Sequence, residues 1–361
     1  LNETLTAVLS NLAASGRNVS IADATGEAAV VNDDAATLSI SDVVITEGVG
    51  ATFTVTLNND VDTAFTVDFV TADGSATAGP DYTALAGTLS FAGTAGETKS
   101  FTIDITGDNV VELNETLTAV LSNLVASGRN VSIADAEGQA TIVNDDAATL
   151  TISDVTVTEG QGATFSVTLN NDVDTAFTVD FATADGTAVA GEDYTALAGT
   201  LSFAGTAGET KSFTIDITGD NVVELNETLT AVLSNLVASG RNVSIADATG
   251  QATVVNDDAA KVSVADVTLP EGDAGTTNYT FIVTLDNPVD AAVSVDFATA
   301  DVSALSAEGD YTPVITTVVF APGETSKSVT VQVSGDNWFE SNEIFTTGIS
   351  NLTAAGRNVS M

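Results

Sequence analysis

The strings VVNDD, IVNDD and VVNDD end at Asp34, Asp146 and Asp258, a spacing of 112 residues. Residues 35–146 and 147–258 differ at only 11 positions, so the chain holds two near-identical copies of one unit. A third, diverged copy spans 259–361 and stops at GRNVSM, short of the segment that reads IADATGQATVVNDD in the copy before it. Residues 1–34 match the closing part of a copy, starting inside it at LNETLTAVL. A unit of this size can bury its own core, so the period implies an array of whole domains. The expected organisation is 1–34 as the last two strands of a preceding domain, complete domains at 35–146 and 147–258, and a domain at 259–361 lacking its final strand. On this reading the chain is a segment of something longer.

Within one copy the apolar residues alternate. Phe53, Val55 and Leu57 form one such run, Phe65, Val67 and Phe69 another, and Phe101, Ile103 and Ile105 a third. Period two with Thr, Val, Ile and Phe, broken by Gly, Asn and Asp clusters, is the pattern of half-buried strands. Seven strands are predicted: A 36–45, B 51–57, C 64–71, D 87–92, E 99–106, F 115–122 and G 139–144. No segment carries a helical stripe. Seven short strands per copy predict an all-β fold, a tandem array of immunoglobulin-like antiparallel sandwiches.

The charge then has to be placed. The 361 residues include 50 acidic and 8 basic side chains, for a net charge of −42, with no His and no Cys. Disulfides, thiolate sites and imidazole chemistry are excluded. Nucleic acid is a poor partner, because little is available to neutralise phosphates. No run of eighteen apolar residues suggests a membrane span. If successive strands run antiparallel, the A–B, C–D and E–F loops and the exit from G share one end of the sandwich. Glu47, Asp73, Asp108, Glu112, Glu115, Asp145 and Asp146 all fall there. Copy two repeats them as Glu159, Asp185, Asp220, Glu224, Glu227, Asp257 and Asp258. Copy three keeps Glu271, Asp301, Asp336, Glu340 and Glu343, and the opening fragment keeps Asp33 and Asp34. So many carboxylates at one tip cannot all stay ionised at close range without a counter-charge. An all-oxygen, flexible ligand set suits Ca²⁺ better than Mg²⁺. A catalytic carboxylate pair is the rival reading. It is disfavoured because the same tip recurs along the array with no aromatic cleft beside it, so no enzyme is expected.

The string TADGTAVAGEDYTALAGTLSF (183–203), followed by GDNVVELNET and closed by VVNDD, resembles a Calx-beta domain. That module occurs in sodium–calcium exchanger regulatory regions and in many large bacterial surface proteins. The resemblance covers essentially the whole chain. It implies a seven-strand sandwich holding Ca²⁺ at its distal loops, with the acidic residues named above as ligands. It also implies an extracellular, bacterial repeat protein of adhesin or filament type. One departure is that Gly107 and Asn109 flank Asp108 where exchanger domains carry a longer acidic run, which implies one to three ions per tip.

Four further features carry expectations. Asp81 and Asp193, in the Gly-x-Asp-Tyr turns, are either ligands or architectural, with the tyrosine hydroxyl bonded back to the backbone. The arginines Arg17, Arg129, Arg241 and Arg357 all lie in GRNVS of the F–G loop. They are either exposed turn charges or, in the sharper reading, partners of the preceding tip or of another chain, Arg241 meeting Asp145 or Asp146. Trp338 takes the place of Val110 and is expected to be buried at the loop base. The partial copies at the two ends point to neighbouring copies of the same repeat protein as partners, through head-to-tail continuation or filament assembly. Taken together, the sequence reads as a calcium-stiffened structural repeat of a stalk, adhesin or matrix filament. The alternative is a calcium sensor that changes interdomain geometry.

Overall fold

A computed structural model describes residues 2–361 of the chain, and among them every regular element is a strand. The chain opens with a hairpin of β1 (Glu3–Val8) and β2 (Thr25–Val30), which pair only with each other and are exposed along their whole length.

The first full repeat comprises β3 (Ala36–Ile40), β4 (Val43–Thr46), β5 (Ala51–Leu57), β6 (Phe65–Asp73), β7 (Ala86–Phe91), β8 (Thr98–Ile103), β9 (Glu115–Val125), β10 (Val131–Asp135) and β11 (Glu137–Val143). Two sheets result, ordered β10-β3-β5-β8 and β4-β11-β9-β6-β7. The alternation read from the sequence sets the inward face, since Ala51, Phe53, Val55 and Leu57 of β5 are all buried. Phe65, Val67 and Phe69 face them from β6, and Phe69 stacks on Phe101 with ring centroids 3.8 Å apart. Offset aromatic pairs of this kind add a little beyond their burial. No polar or charged side chain is buried among the described residues. The core is therefore purely apolar, and the acidic groups are left to the loops and the outward faces and ends of strands.

Two details differ from the seven-strand reading. Strand A is not continuous: Ser41 and Asp42 interrupt it, so β3 joins one sheet and β4 crosses to the other. There β4 lies parallel to β11. The predicted F–G loop also contains a strand, β10, parallel to β3.

The second repeat follows the same plan through β12 (Ala148–Ile152), β13 (Val155–Thr158), β14 (Gly162–Leu169), β15 (Phe177–Asp185), β16 (Ala198–Phe203), β17 (Thr210–Asp216), β18 (Glu227–Val237), β19 (Val243–Asp247) and β20 (Thr249–Val255). The third has β21 (Ala260–Val264), β22 (Gly275–Leu285), β23 (Val293–Asp301), β24 (Ile315–Phe320), β25 (Ser326–Gly335), β26 (Phe345–Thr353) and β27 (Val359–Ser360). Its second sheet has only three strands, ordered β24-β23-β26, which leaves β26 at an edge.

By compactness the chain divides into two units. One takes in the chain up to Ala148 together with Asn171–Asp174 and Gly240–Val243; the other takes in the rest. Within the first unit, the β8–β9 loop is gripped by those two short segments of the second repeat. The Val111 amide donates to the Asp172 carbonyl at 2.9 Å, and the Asp174 amide donates to the Val111 carbonyl at 3.2 Å. Val111 is fully buried and Val173 is 5% exposed. Within the second unit the arrangement recurs. Val223 donates to the Pro288 carbonyl at 2.9 Å and accepts from the Asp290 amide at 3.3 Å. Val223 belongs to the same hydrophobic cluster as Val262, Val283 and Phe297 of the third sandwich. A loop valine of one repeat is thus part of the core of the next.

Candidate metal centre

Close approach of two backbones starts the site. A Cβ on Gly107 would stand 2.9 Å from the Gly48 Cα, and one on Gly219 would stand 2.8 Å from the Gly160 Cα. Only glycine permits that contact, because real Cβ atoms do not come so near another backbone. It sets the loop after β4, which carries Glu47, against the loop after β8, which carries Asp108. Asn144 then ties the segment after β11 to the same loop. Its side-chain carbonyl accepts from the Glu112 amide at 3.0 Å, and its own backbone amide donates to Asn114 Oδ1 at 3.2 Å. The Asn144 side-chain nitrogen donates to the Asp146 carbonyl at 3.0 Å. Asn256 repeats all three contacts in the second copy.

On that frame the carboxylates converge. One oxygen from each of Glu47, Asp145 and Asp146 lies within 4.8 Å of the others, and Glu159, Asp257 and Asp258 form the same group in the second repeat. Asp193, Glu224 and Glu227 form another such group. In the first repeat Asp81, Asp108, Glu112 and Glu115 line one depression together with Glu47 and Asn144. Crowding raises the proton affinity of these groups. Glu112 is pushed up to about 7 by desolvation, then by the charges of Glu115, Asp108, Asp81 and Asp174. Glu224 and Glu227 are likewise pushed up to about 7, desolvation leading and neighbouring carboxylates following. Burial first, then Asp257 and Asp258, pushes Glu159 up to about 7 against the Asp257 amide, which lowers it. Desolvation and the charges of Asp145 and Asp108 raise Asp146 as well.

The test of a metal is whether these oxygens have anything else to do. Asp146 Oδ2 and Asp258 Oδ2 are buried with no hydrogen-bond partner. A buried carboxylate oxygen left unpaired costs free energy unless a cation meets it. Hard oxygen donors at this spacing fit a hard divalent cation. The residues present therefore fit such an ion.

Several expected ligands are placed differently. Asp73 and Asp185 stay outside these groups: Oδ1 of each accepts the hydroxyl of Tyr82 or Tyr194 at 2.6 Å, plus the amide of Ala78 or Ala190. Tyr311 does the same to Asp301 at 2.5 Å. The tyrosine of the Gly-x-Asp-Tyr turn therefore anchors a carboxylate, not the backbone. The aspartate just before it, Asp193, joins the acidic group, and Asp81 lines the equivalent depression. Nothing in the alternation marks Asp193 over Asp185, since both lie at the same end. Asp108 and Asp220 accept the amides of Val110 and Val222, two residues on, and so shape the loop.

In the third repeat Glu271, Asp336, Glu340 and Glu343 do not draw into a group of the same closeness among the described residues. Trp338 is 80% exposed, contrary to the burial expected for it. Asp33 and Asp34 follow β2 and are exposed, with no β8–β9 loop of their own copy beside them.

The arginines serve the joint. Arg241 forks onto Asp174 of its own repeat, Nε to Oδ1 and Nη2 to Oδ2 at 2.8 Å each. The expected partners Asp145 and Asp146 are not what its guanidinium meets. The neighbouring Asn242 reaches the Asp146 carbonyl instead, at 3.1 Å. The charge of Glu112 nevertheless helps to raise Arg241, so this ion pair lies against the acidic loop.

Comparison with known proteins agrees with this architecture. Residues 31–154, 144–260 and 256–361 each match the Calx-beta domain. The chain belongs to the Calx-beta family, in tandem. Among solved structures, CBD12 from CALX1.2 is 18% identical, covers 60% of this chain and 99% of its own, and has a TM-score of 0.30. The apo-form Calx CBD1 domain is 26% identical over 31% of this chain and 100% of its own, with a TM-score of 0.29. The calcium binding domain CBD12 of CALX1.1 is 18% identical with 60% and 99% coverage and a TM-score of 0.30. No curated protein matches the chain.

Proposed function

We propose that the chain is a non-enzymatic structural segment, stiffened by calcium, of an extracellular stalk, adhesin or matrix filament. The observation that carries this reading is the position of the unpartnered carboxylate oxygens of Asp146 and Asp258. They stand in the segment that links one repeat to the next. Glu47, Asp145 and Asp146 would hold one ion, with Glu112 and Glu115 of the β8–β9 turn and Asp81 of the β6–β7 loop lining the depression beside it. In the second repeat Glu159, Asp257 and Asp258 would do the same, beside Asp193, Glu224 and Glu227. A bound cation supplies positive charge that relieves the mutual repulsion of these groups.

The loop that carries Glu112 also carries Val111, whose side chain is buried at the following repeat's loops. Ordering that loop therefore orders the joint. Membership of the Calx-beta family supports calcium as the ion. Near-identity of two successive copies supports a spacer, since each unit repeats its neighbour's contacts.

Scattering and calorimetry on the intact chain, with calcium and with chelator, test this. Calcium is expected to raise the melting temperature and to reduce the spread of conformations. At 100-fold excess over Kd, one site adds about 2.7 kcal/mol. A response centred near millimolar calcium fits the spacer, whereas a micromolar midpoint fits the sensor. No change in either observable overturns the calcium reading.

A further inference from the structure

One edge of the second sheet is open in all three sandwiches, at β7, β16 and β24. In the first two that edge strand reads AGTLSF, with a glycine inside it. A Cβ on Gly87 would stand 2.8 Å from the Phe69 ring, so packing fixes the glycine, which weakens the strand. In the third sandwich the strand reads ITTVVF, five β-branched residues and a phenylalanine. Such residues favour the pleated conformation. Ile315 is 84% exposed and Val319 51% exposed, in the places that Ala86 and Ser90 hold in β7.

Edge strands are ordinarily protected by charged side chains, by bulges or by a covering segment. β24 lacks these devices. No charged residue stands between Asp310 and Glu324. Among the described residues nothing pairs with the outer side of β24, and its register with β23 has no bulge. Pro313 and Pro322 bound the strand and, having no N–H, end any added ladder there. The Thr299 amide donates to the Val314 carbonyl at 3.0 Å. Antiparallel ladders alternate, so the backbone N–H and C=O groups of Ile315, Thr317 and Val319 point away from β23.

We propose that β24 pairs with β24 of a second copy of this chain, antiparallel and about a twofold axis at Thr317. The side chains set this register. With Thr317 opposite Thr317 of the second copy, Ile315 stands opposite Val319 and Val319 opposite Ile315. Both apolar pairs fall on the exposed face, with the threonines between them. Cross-strand pairs of this kind are the unit of sheet stabilisation. The three residues whose backbone groups point outward are also the three that this register hydrogen-bonds. In β7 the same register would set Ala86 against Ser90 and bury little, so the contact is confined to the third sandwich.

Charge permits the contact there. A chain of net charge −42 repels its own copies, so two of them can share only a surface that keeps their carboxylates apart. The carboxylate beside Thr317 is that of Asp296, on β23. Its oxygens accept the Thr317 hydroxyl at 2.7 Å and the Asn351 side-chain nitrogen at 2.9 Å. Across the axis two such groups are three strand spacings apart, about 14 Å. That exceeds the screening length of about 8 Å at physiological salt. A contact between like surfaces closes on itself, so a dimer is the end point. A strand of six residues from each copy makes a small interface, and a Kd of about 10–100 μM is expected.

The test is sedimentation velocity of the full 361-residue chain at physiological salt, in calcium and again in chelator. A monomer–dimer equilibrium is expected in both, since no carboxylate of the tips takes part. Val319→Lys, at an exposed position outside the core, is expected to weaken it at least about tenfold. The chain has no cysteine, so Thr317→Cys puts a single thiol on the axis. Opposed residues of a hydrogen-bonded pair have Cα atoms about 5.5 Å apart, within reach of a disulfide. Mild oxidation at ~100 μM protein is expected to link two copies of the Thr317→Cys chain. Thr88→Cys, at the matching place in β7, is expected to stay unlinked. A wild-type chain that is monomeric at ~500 μM overturns the proposal. So does association indifferent to Val319→Lys, equal cross-linking of the two thiol variants, or growth past the dimer. A monomer whose binding of an extended Thr/Val peptide is lost in Val319→Lys assigns the edge to a foreign strand and overturns it equally.

Discussion

Val223→Ala is the most incisive single change, because Val223 is covalently part of one repeat and packs in the core of the next. The residue has 0% exposure and lies in the cluster of Val262, Val283, Val295 and Phe297. Removing two methyl groups forfeits about 1.6 kcal/mol of transfer free energy, at roughly 0.8 kcal/mol per carbon. The gap left behind adds about 1 kcal/mol where its walls cannot collapse. The sum, about 2.5 kcal/mol, corresponds to a rise of roughly seventy-fold in the opening equilibrium. Hydrogen exchange followed by mass spectrometry reads this directly, because the third repeat has diverged in sequence and its peptides are unique. Faster exchange is expected in β22 and β25, on a repeat that carries no substitution. If only the β17–β18 loop exchanges faster while β22 and β25 keep their protection, the valine merely rests on the neighbouring surface and the shared core is refuted.

Three other outcomes follow from the geometry. With no metal bound, Glu112, Glu159, Glu224 and Glu227 sit near 7 when folded, against an ordinary value of 4.5. The stabilisation from holding these groups uncharged is complete below pH 4.5 and is lost as pH rises through 7. A higher melting temperature at about pH 5.5 than at about pH 8 is therefore expected in chelator, with the order reversed in saturating calcium, where protons compete with the ion. Glu97 behaves oppositely. It accepts the amides of Ala92 and Gly93 and pairs with Lys99, and these bonds hold it down to about 2 despite its burial. Its contribution is present above pH 4.5 and disappears as pH falls through 2. Glu97→Gln should cost about 1–3 kcal/mol at neutral pH by urea denaturation. Finally, Asp174→Asn leaves the charge of Arg241 against the acidic loop and breaks the fork. Calorimetric titration is expected to show weaker calcium binding and little change in the melting of an isolated second repeat.

The sandwich was legible because alternation is a local property. Phe53, Val55 and Leu57 announce an inward face wherever they occur, and the burial of all three follows. The break at Ser41–Asp42 was not legible, since a polar pair inside a run looks the same whether the strand bends or changes sheets. Nor was β10, whose five residues read as the end of a loop. For the acidic tip, loop parity says which end a residue occupies but not what it touches there. Parity therefore placed Asp73 with Glu47, while a single phenol, Tyr82, holds Asp73 apart. Asp193 was closer to being recognised: it precedes a tyrosine in a turn that reads either as a ligand site or as architecture, and the structure puts it in the acidic group. The joint lay furthest from view. Its valine Val111, aspartate Asp174 and arginine Arg241 belong to segments more than 60 residues apart, and no pattern within one copy connects them.

The crossing of the first strand between sheets has a mechanical meaning. β4 runs beside β11 in parallel register, Val43 to Ala140 through Thr46 to Val143. These strands lie near the two ends of the repeat, so a pull on the chain is passed along both of them. Because they are parallel, tension slides one past the other, and all the bonds of the ladder are strained together instead of unzipping one at a time. A tether assembled from such units resists stretching through its shortest strand, and single-molecule pulling should find the rupture force concentrated there.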